Sequence, residues 1–122
     1  MLTVDSRSTV PLGEQVRRGI RRAIAEGEIR VGDPLPPVRQ LAADLGINLN
    51  TVARAYRELE REGLVTAARG RGTVVAARRT VQRISREDLR EHFRDLLADA
   101  KLAGYGRGET RRLLVAELER RM

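Results

Sequence analysis

The feature that most constrains this chain is a change of hydrophobic period at Gly63. Before it, apolar residues recur every three or four positions in three stretches punctuated by glycine. After it come two short runs with the character of strands. Leu12, Val16, Ile20 and Ile24, with Ala23 alongside, make the stripe of a first helix. Ser8-Thr9-Val10-Pro11 opens it, with Pro11 near the first helical position, and Gly27 stops it. The stretch from Ile29 to Pro34 reads as a connector with turn chemistry at Gly32-Asp33-Pro34. A second helix follows Leu35-Pro36-Pro37, turns Val38, Leu41, Ala42 and Leu45 inward, and ends at Gly46. Asn48 is the expected N-cap of a third, which buries Val52, Ala55, Tyr56 and Leu59. Residues 64–67 and 73–76 then read as strands. Ala68-Arg69-Gly70-Arg71-Gly72 joins them as a hairpin with a basic tip.

A polar linker is expected at 78–84. Ser85 with Asp88 has the pattern of a capping box and opens a fourth helix striped by Leu89, Phe93, Leu96, Leu97 and Ala100. Tyr105-Gly106-Arg107-Gly108 is the next turn, and a fifth helix carries Leu113, Leu114, Val115, Leu118 and Met122. The expected fold is mainly α. A winged helix-turn-helix, three helices plus a β-hairpin wing, occupies residues 1–77, and a linker with two helices occupies 78–122.

Composition agrees with a helical core. Hydrophobic residues are 41% of the 122, but aromatics only 2%, so Leu, Val, Ile and Ala must do the packing. The absence of Cys excludes disulfides and Cys-based zinc sites and fits a reducing cytoplasm. The first residues carry no long apolar run of a signal peptide, and no stretch approaches the ~20 apolar residues of a membrane span, so no membrane partner is expected. The formal net charge of +7 points to a polyanionic partner. All cations but Lys101 are Arg, which a biased genome would also produce, but placement discriminates. Residues 1–84 hold 15 Arg against 9 acids, and residues 85–122 hold 9 cations against 8 acids. The excess lies with the helix-turn-helix.

Geometry supplies the chemistry. Helices at 37–45 and 48–62 joined by Gly46-Ile47 allow the second to enter a DNA major groove N-terminus first. Asn48, Asn50, Thr51 and Arg54 then reach base edges and phosphates: Asn suits adenine, Arg guanine, Thr the thymine methyl. Arg69 and Arg71 at the hairpin tip suit a narrow, electronegative minor groove, with glycines permitting close approach. Arg39 can meet the backbone or a groove edge. Each feature has a plainer reading. Arg54, Arg57 and Arg61 could form a solvated face balanced by Glu58, Glu60 and Glu62; Gly70 and Gly72 could be turn residues only; Asn48 could be only a cap.

Pro11-Leu12, then Gly32-Asp33-Pro34-Leu35-Pro36-Pro37-Val38-Arg39-Gln40-Leu41-Ala42, the run from Asn48 to Val65, and Arg69-Gly70-Arg71-Gly72-Thr73 together resemble the GntR family of bacterial regulators, over residues 11–76. The resemblance implies operator contacts from Arg39, Asn48, Asn50, Thr51, Arg69 and Gly70. Arg54 and Arg71 are added on chemical grounds. Pro37 departs from the pattern, since many members place a Ser cap there.

The 45 residues from 78 to 122 are too few for a large effector-sensing or aminotransferase-like domain. They resemble the small YtrA-type branch, whose short C-terminal helices serve mainly for dimerisation. That resemblance implies transporter operons and its own operon as targets, and repression as the default. Two amphipathic helices cannot bury their apolar faces well alone, so a homodimer through Leu89, Phe93, Leu96, Leu97, Leu114 and Leu118 is expected. The other reading folds these residues back on the winged domain. An enzyme is not expected. His92 is the only His, and Asp88, Asp95 and Asp99 on its helix read as a solvated acidic face rather than a metal site, so no cofactor or metal is assigned. A small-molecule effector between the C-terminal helices stays open, and a winged helix used for protein–protein contact is the alternative function.

Overall fold

Helix α1 (Leu12–Ala25) buries Val16, Ile20 and Ala23 along one face. Pro11 stands next to the first helical position, as the N-cap, with no side-chain acceptor for the first turn. Helix α2 (Val38–Leu45) begins the same way on Pro37, so the acceptor that Ser would have supplied is missing. Gly46 ends α2 at φ +67°. Helix α3 (Leu49–Arg61) has the expected cap: Asn48 Oδ1 accepts the Asn50 N–H at 2.7 Å. Val16, Ile20, Leu41, Val52, Leu59, Val65 and Val75 share one core, and Tyr56 is the aromatic ring within it.

Strands β1 (Val65–Ala68) and β2 (Gly72–Val75) pair antiparallel, with Val65 opposite Val75 and Ala68 opposite Gly72. Each strand sits one residue from its expected place. Leu64 belongs to the exit from α3, where its N–H donates to the Leu59 carbonyl at 3.0 Å.

Two further features correct the sequence reading. The stretch before α2 is more than a connector. Gly32 N–H donates to the Val75 carbonyl, Val75 N–H to the Asp33 carbonyl and Leu35 N–H to the Thr73 carbonyl, at 2.8–2.9 Å, and Pro34 bridges Val74. The wing is thereby tied along β2 to the entry of α2. The N-terminal stretch also packs. Leu2 and Val4 lie against the core, and a Cβ on Gly19 would meet Leu2 Cβ at 2.9 Å.

The α1 arginines, expected only to lie off the apolar stripe, are mostly partnered. Arg17 and Arg18 bind Glu14, and Arg17 and Arg21 each reach Glu62 Oε1 at 2.8 Å. Gly13 meets Thr51 near both helix starts, since a Cβ there would lie 3.4 Å from Thr51 Cγ2. Arg17 and Arg21 meet Glu62 at the far end of α3. Helices α1 and α3 therefore run in the same direction, with their N-termini at one end.

The structure, a computed structural model, describes residues 1–77 and 84–122. It divides into two compact units, Met1–Gln82 and Arg83–Met122. The linker expected at 78–84 lies, Ile84 apart, outside the described residues. The second unit holds α4 (Arg86–Leu102) and α5 (Arg107–Arg121). Ser85 Oγ accepts the Asp88 N–H at 3.0 Å, as a capping residue does. Neither helix has a buried residue. Among the described residues, no helix is long and apolar enough to cross a membrane. The fold is mainly α: a winged helix-turn-helix and then two helices.

Candidate nucleic-acid interface

The first half of α3 presents a polar, accessible surface because its apolar positions face the core. Asn48, Asn50 and Arg54 are exposed and Thr51 is half-buried. The four border one open cleft together with Pro11, Leu12 and Gly13 of the α1 start. Asn48 Oδ1 is engaged in capping, which leaves its amide NH2 to donate. Thr51 turns its methyl toward Gly13, so the thymine-methyl role is not the one its packing favours. Arg54, Arg57 and Arg61 make no ion pair among the described residues. Glu62, one of the three acids that the plainer reading set against them, is held instead by Arg17 and Arg21 of α1.

Arg39 is exposed on the first turn of α2, outside this cleft. Arg69, Gly70 and Arg71 form the wing tip. Arg71 N–H closes on the Ala68 carbonyl at 2.9 Å, and Gly70 takes φ +76° at the third position of that turn, the sign a type II turn requires. Gly70 thus has a turn role whatever else it does. The Arg71 guanidinium donates to the Gly32 carbonyl at 3.4 Å, and Arg71 lines one open cleft with Pro36 and Val38, at the entry of α2. Arg69 has no such tether among the described residues and is exposed.

Sequence reasoning missed two supports. Tyr56 donates to the Pro36 carbonyl at 2.6 Å, and burial pushes its phenol up to about 12. Gln15 grips the chain ahead of α1: its Oε1 accepts the Asp5 N–H at 2.7 Å, and its Nε2 donates to the Asp5 and Val10 carbonyls at 2.9 and 2.8 Å. The single local signal was a polar Gln beside the α1 stripe, which reads as solvated.

In the second unit Leu89, Phe93, Leu96, Leu97, Leu114 and Leu118 are 41–56% exposed. At the bend between α4 and α5, Leu97, Tyr105, Leu114 and Val115 line an apolar cleft rimmed by Lys101 and Arg107. Asp88, His92, Asp95 and Asp99 are not gathered into a metal-holding group; among the described residues there is none.

Residues 12–75 match the model of the gntR family of bacterial regulatory proteins. The chain belongs to the gntR family. Among its relatives is the HTH-type transcriptional repressor YtrA of Bacillus subtilis, 39% identical over 106 residues that span 85% of this chain and 82% of that one. YtrA from Sulfolobus acidocaldarius, a GntR-family transcription factor, superposes with a TM-score of 0.64 at 35% identity, over 79% of this chain and 96% of its own. The AraR DNA-binding domain, solved in complex with operator ORR3, matches with a TM-score of 0.53 at 28% identity, over 62% of this chain and 92% of its own. The gntR-family match runs from the first turn of α1 to the end of β2 and so takes in the cleft, the turn at Gly46 and the wing. The YtrA likeness covers more of the chain than the family match does and takes in α4.

Proposed function

We propose that this gntR-family transcriptional regulator is a homodimeric repressor that reads an inverted-repeat operator. Residues 1–77 are its DNA-binding domain, and 78–122 its linker and dimerisation segment. The observation that carries the reading is the α3 surface. One face of the helix is buried in the core, while Asn50 and Arg54 on the other are exposed, and Arg54 makes no ion pair among the described residues. In the major groove, Asn50 and Arg54 supply base contacts. Asn48 and Thr51 hold phosphate, Arg39 adds a contact from α2, and Arg69, Gly70 and Arg71 bring the wing to the adjoining minor groove. Joined through α4 and α5, two copies place their α3 helices in successive major grooves, with half-sites about one helical turn apart or a multiple of it. In this reading the protein is not an enzyme and works in the cytoplasm, where its DNA is.

The test is fluorescence anisotropy against the intergenic DNA upstream of its own gene, with a scrambled duplex as control, at two salt concentrations. The expected result is tight, salt-sensitive binding to the native duplex and weak binding to the scrambled one. Arg39→Ala and Asn50→Ala should each lose about 1–3 kcal/mol on the native duplex alone. Wild-type affinity in both variants would remove the residue assignment. No binding to either duplex at low salt would replace the reading with a protein-contact role.

A further inference from the structure

We infer that the loop at residues 5–10 is a second DNA-contacting element, with Arg7 as its phosphate contact and Gln15 as the residue that positions it. The inference rests on the DNA-binding reading and extends it to a stretch outside the helix-turn-helix and the wing.

The loop is irregular but built. Besides the three bonds from the Gln15 amide, Arg7 N–H donates to Asp5 Oδ1 at 2.9 Å, Ser8 N–H to the Asp5 carbonyl at 3.2 Å and Val10 N–H to Ser8 Oγ at 3.1 Å. Six hydrogen bonds thus fix six residues that bury almost nothing, since all but Val10 are exposed. Burial of their own side chains does not account for that order, although the loop also returns the chain from Val4, which packs on the core, to the start of α1.

Its position follows from helix direction. Leu2 lies at Gly19 and Asp5 at Gln15, so the chain runs back along α1 toward its start before turning at 5–10 to enter it. Because α1 and α3 are parallel, this loop stands at the same end as Asn48 and Asn50. Pro11 and Leu12, the next two residues, already border the α3 cleft. A duplex that receives the α3 N-terminus therefore has a strand passing this end. Arg7 is exposed and makes no ion pair among the described residues, unlike Arg17, Arg18 and Arg21 behind it. A guanidinium on a fixed backbone beside a strand suits a phosphate, and phosphate contacts set register rather than sequence.

The discriminating readout is the slope of log Kobs against log salt, measured on the native and scrambled duplexes for wild type, Arg7→Ala, Arg7→Lys and Gln15→Ala. Arg7→Ala should lower the slope by about 0.9 for each bound copy and weaken both duplexes by a similar factor, because one phosphate contact contributes about that much. Between 50 and 200 mM salt each copy would then lose about 3.5-fold less affinity than wild type. Arg7→Lys should restore the slope. Gln15→Ala should reproduce the Arg7→Ala slope, and the double variant should add nothing. A wild-type slope in Arg7→Ala, with wild-type DNA binding intact, overturns this inference alone. Wild-type protein that ignores DNA at low salt overturns it together with the DNA-binding reading.

Discussion

Tyr56 of α3 donates its phenol to the Pro36 carbonyl at 2.6 Å, across the gap between α3 and the entry of α2. Pro37 leaves that entry without a side-chain cap, so the Tyr56 bond and the pairing of Leu35 with Thr73 hold it. Tyr56→Phe keeps the ring and leaves the Pro36 oxygen without this donor. It should destabilise the first unit by about 1 kcal/mol, read in urea melts. The pH dependence has a definite sign. Burial raises the phenol from 10.0 to about 12, so the folded state keeps its proton where the unfolded state loses it. Stability should be unaffected by this group below pH 10 and fall as pH rises from 10 through 12, and Tyr56→Phe should remove that component.

Gly46 tests the helix-turn-helix angle. It takes φ +67°, and a Cβ there would meet nothing within 4 Å. Gly46→Ala therefore carries backbone strain without a clash, and should cost about 1–2 kcal/mol. Gly46→Asn, which tolerates the left-handed region better, should cost less. Equal melting of the Ala variant and wild type would mean that the turn can relax.

Glu14 sets an acid limb. The Arg17 hydrogen bond, opposed by partial burial and aided by Arg18, lowers its carboxyl from 4.5 to about 2. The contribution is complete above pH 4.5 and is lost as pH falls from 4.5 through 2. Glu14→Gln should flatten that part of the stability–pH curve and leave the neutral region shifted by no more than about 1 kcal/mol, the range for solvent-accessible pairs. An unchanged acid limb in the variant would assign it to other carboxylates.

What the sequence shows and hides divides by range. The Leu12-Val16-Ile20 stripe, the Asn48 cap, the Ser85 cap and the switch of period after Gly63 are local patterns, and the helices and hairpin follow from them to within a residue or two. The hidden features join distant positions. Gly32-Asp33-Pro34 looks like a turn because its strand-like partners lie some forty residues on, at Thr73 and Val75. Arg17 and Arg21 look solvated because Glu62 is equally remote. Within the candidate interface, local pattern marked Asn48 and Asn50, but not that Thr51 turns its methyl onto Gly13 or that Arg71 is tethered to Gly32, since both depend on packing between elements.

The proposed dimer makes the strongest demand on the second unit. No residue of α4 or α5 is buried, although α4 alone carries Leu89, Phe93, Leu96 and Leu97. Leu97 is 47% exposed and also lines the apolar cleft at the bend, so its replacement should barely disturb its own helix while placing a charge in whatever covers that face. Leu97→Glu should sediment as a monomer with unchanged far-ultraviolet dichroism. Because a dimer binds its second half-site at high effective concentration, operator affinity should fall by about 100-fold or more. Single half-site binding should be unaffected, since α3 and the wing are intact. A Leu97→Glu protein that stays dimeric would move the interface away from this face. One that becomes monomeric yet binds the full operator as well as wild type would show that the heads do not act as a pair.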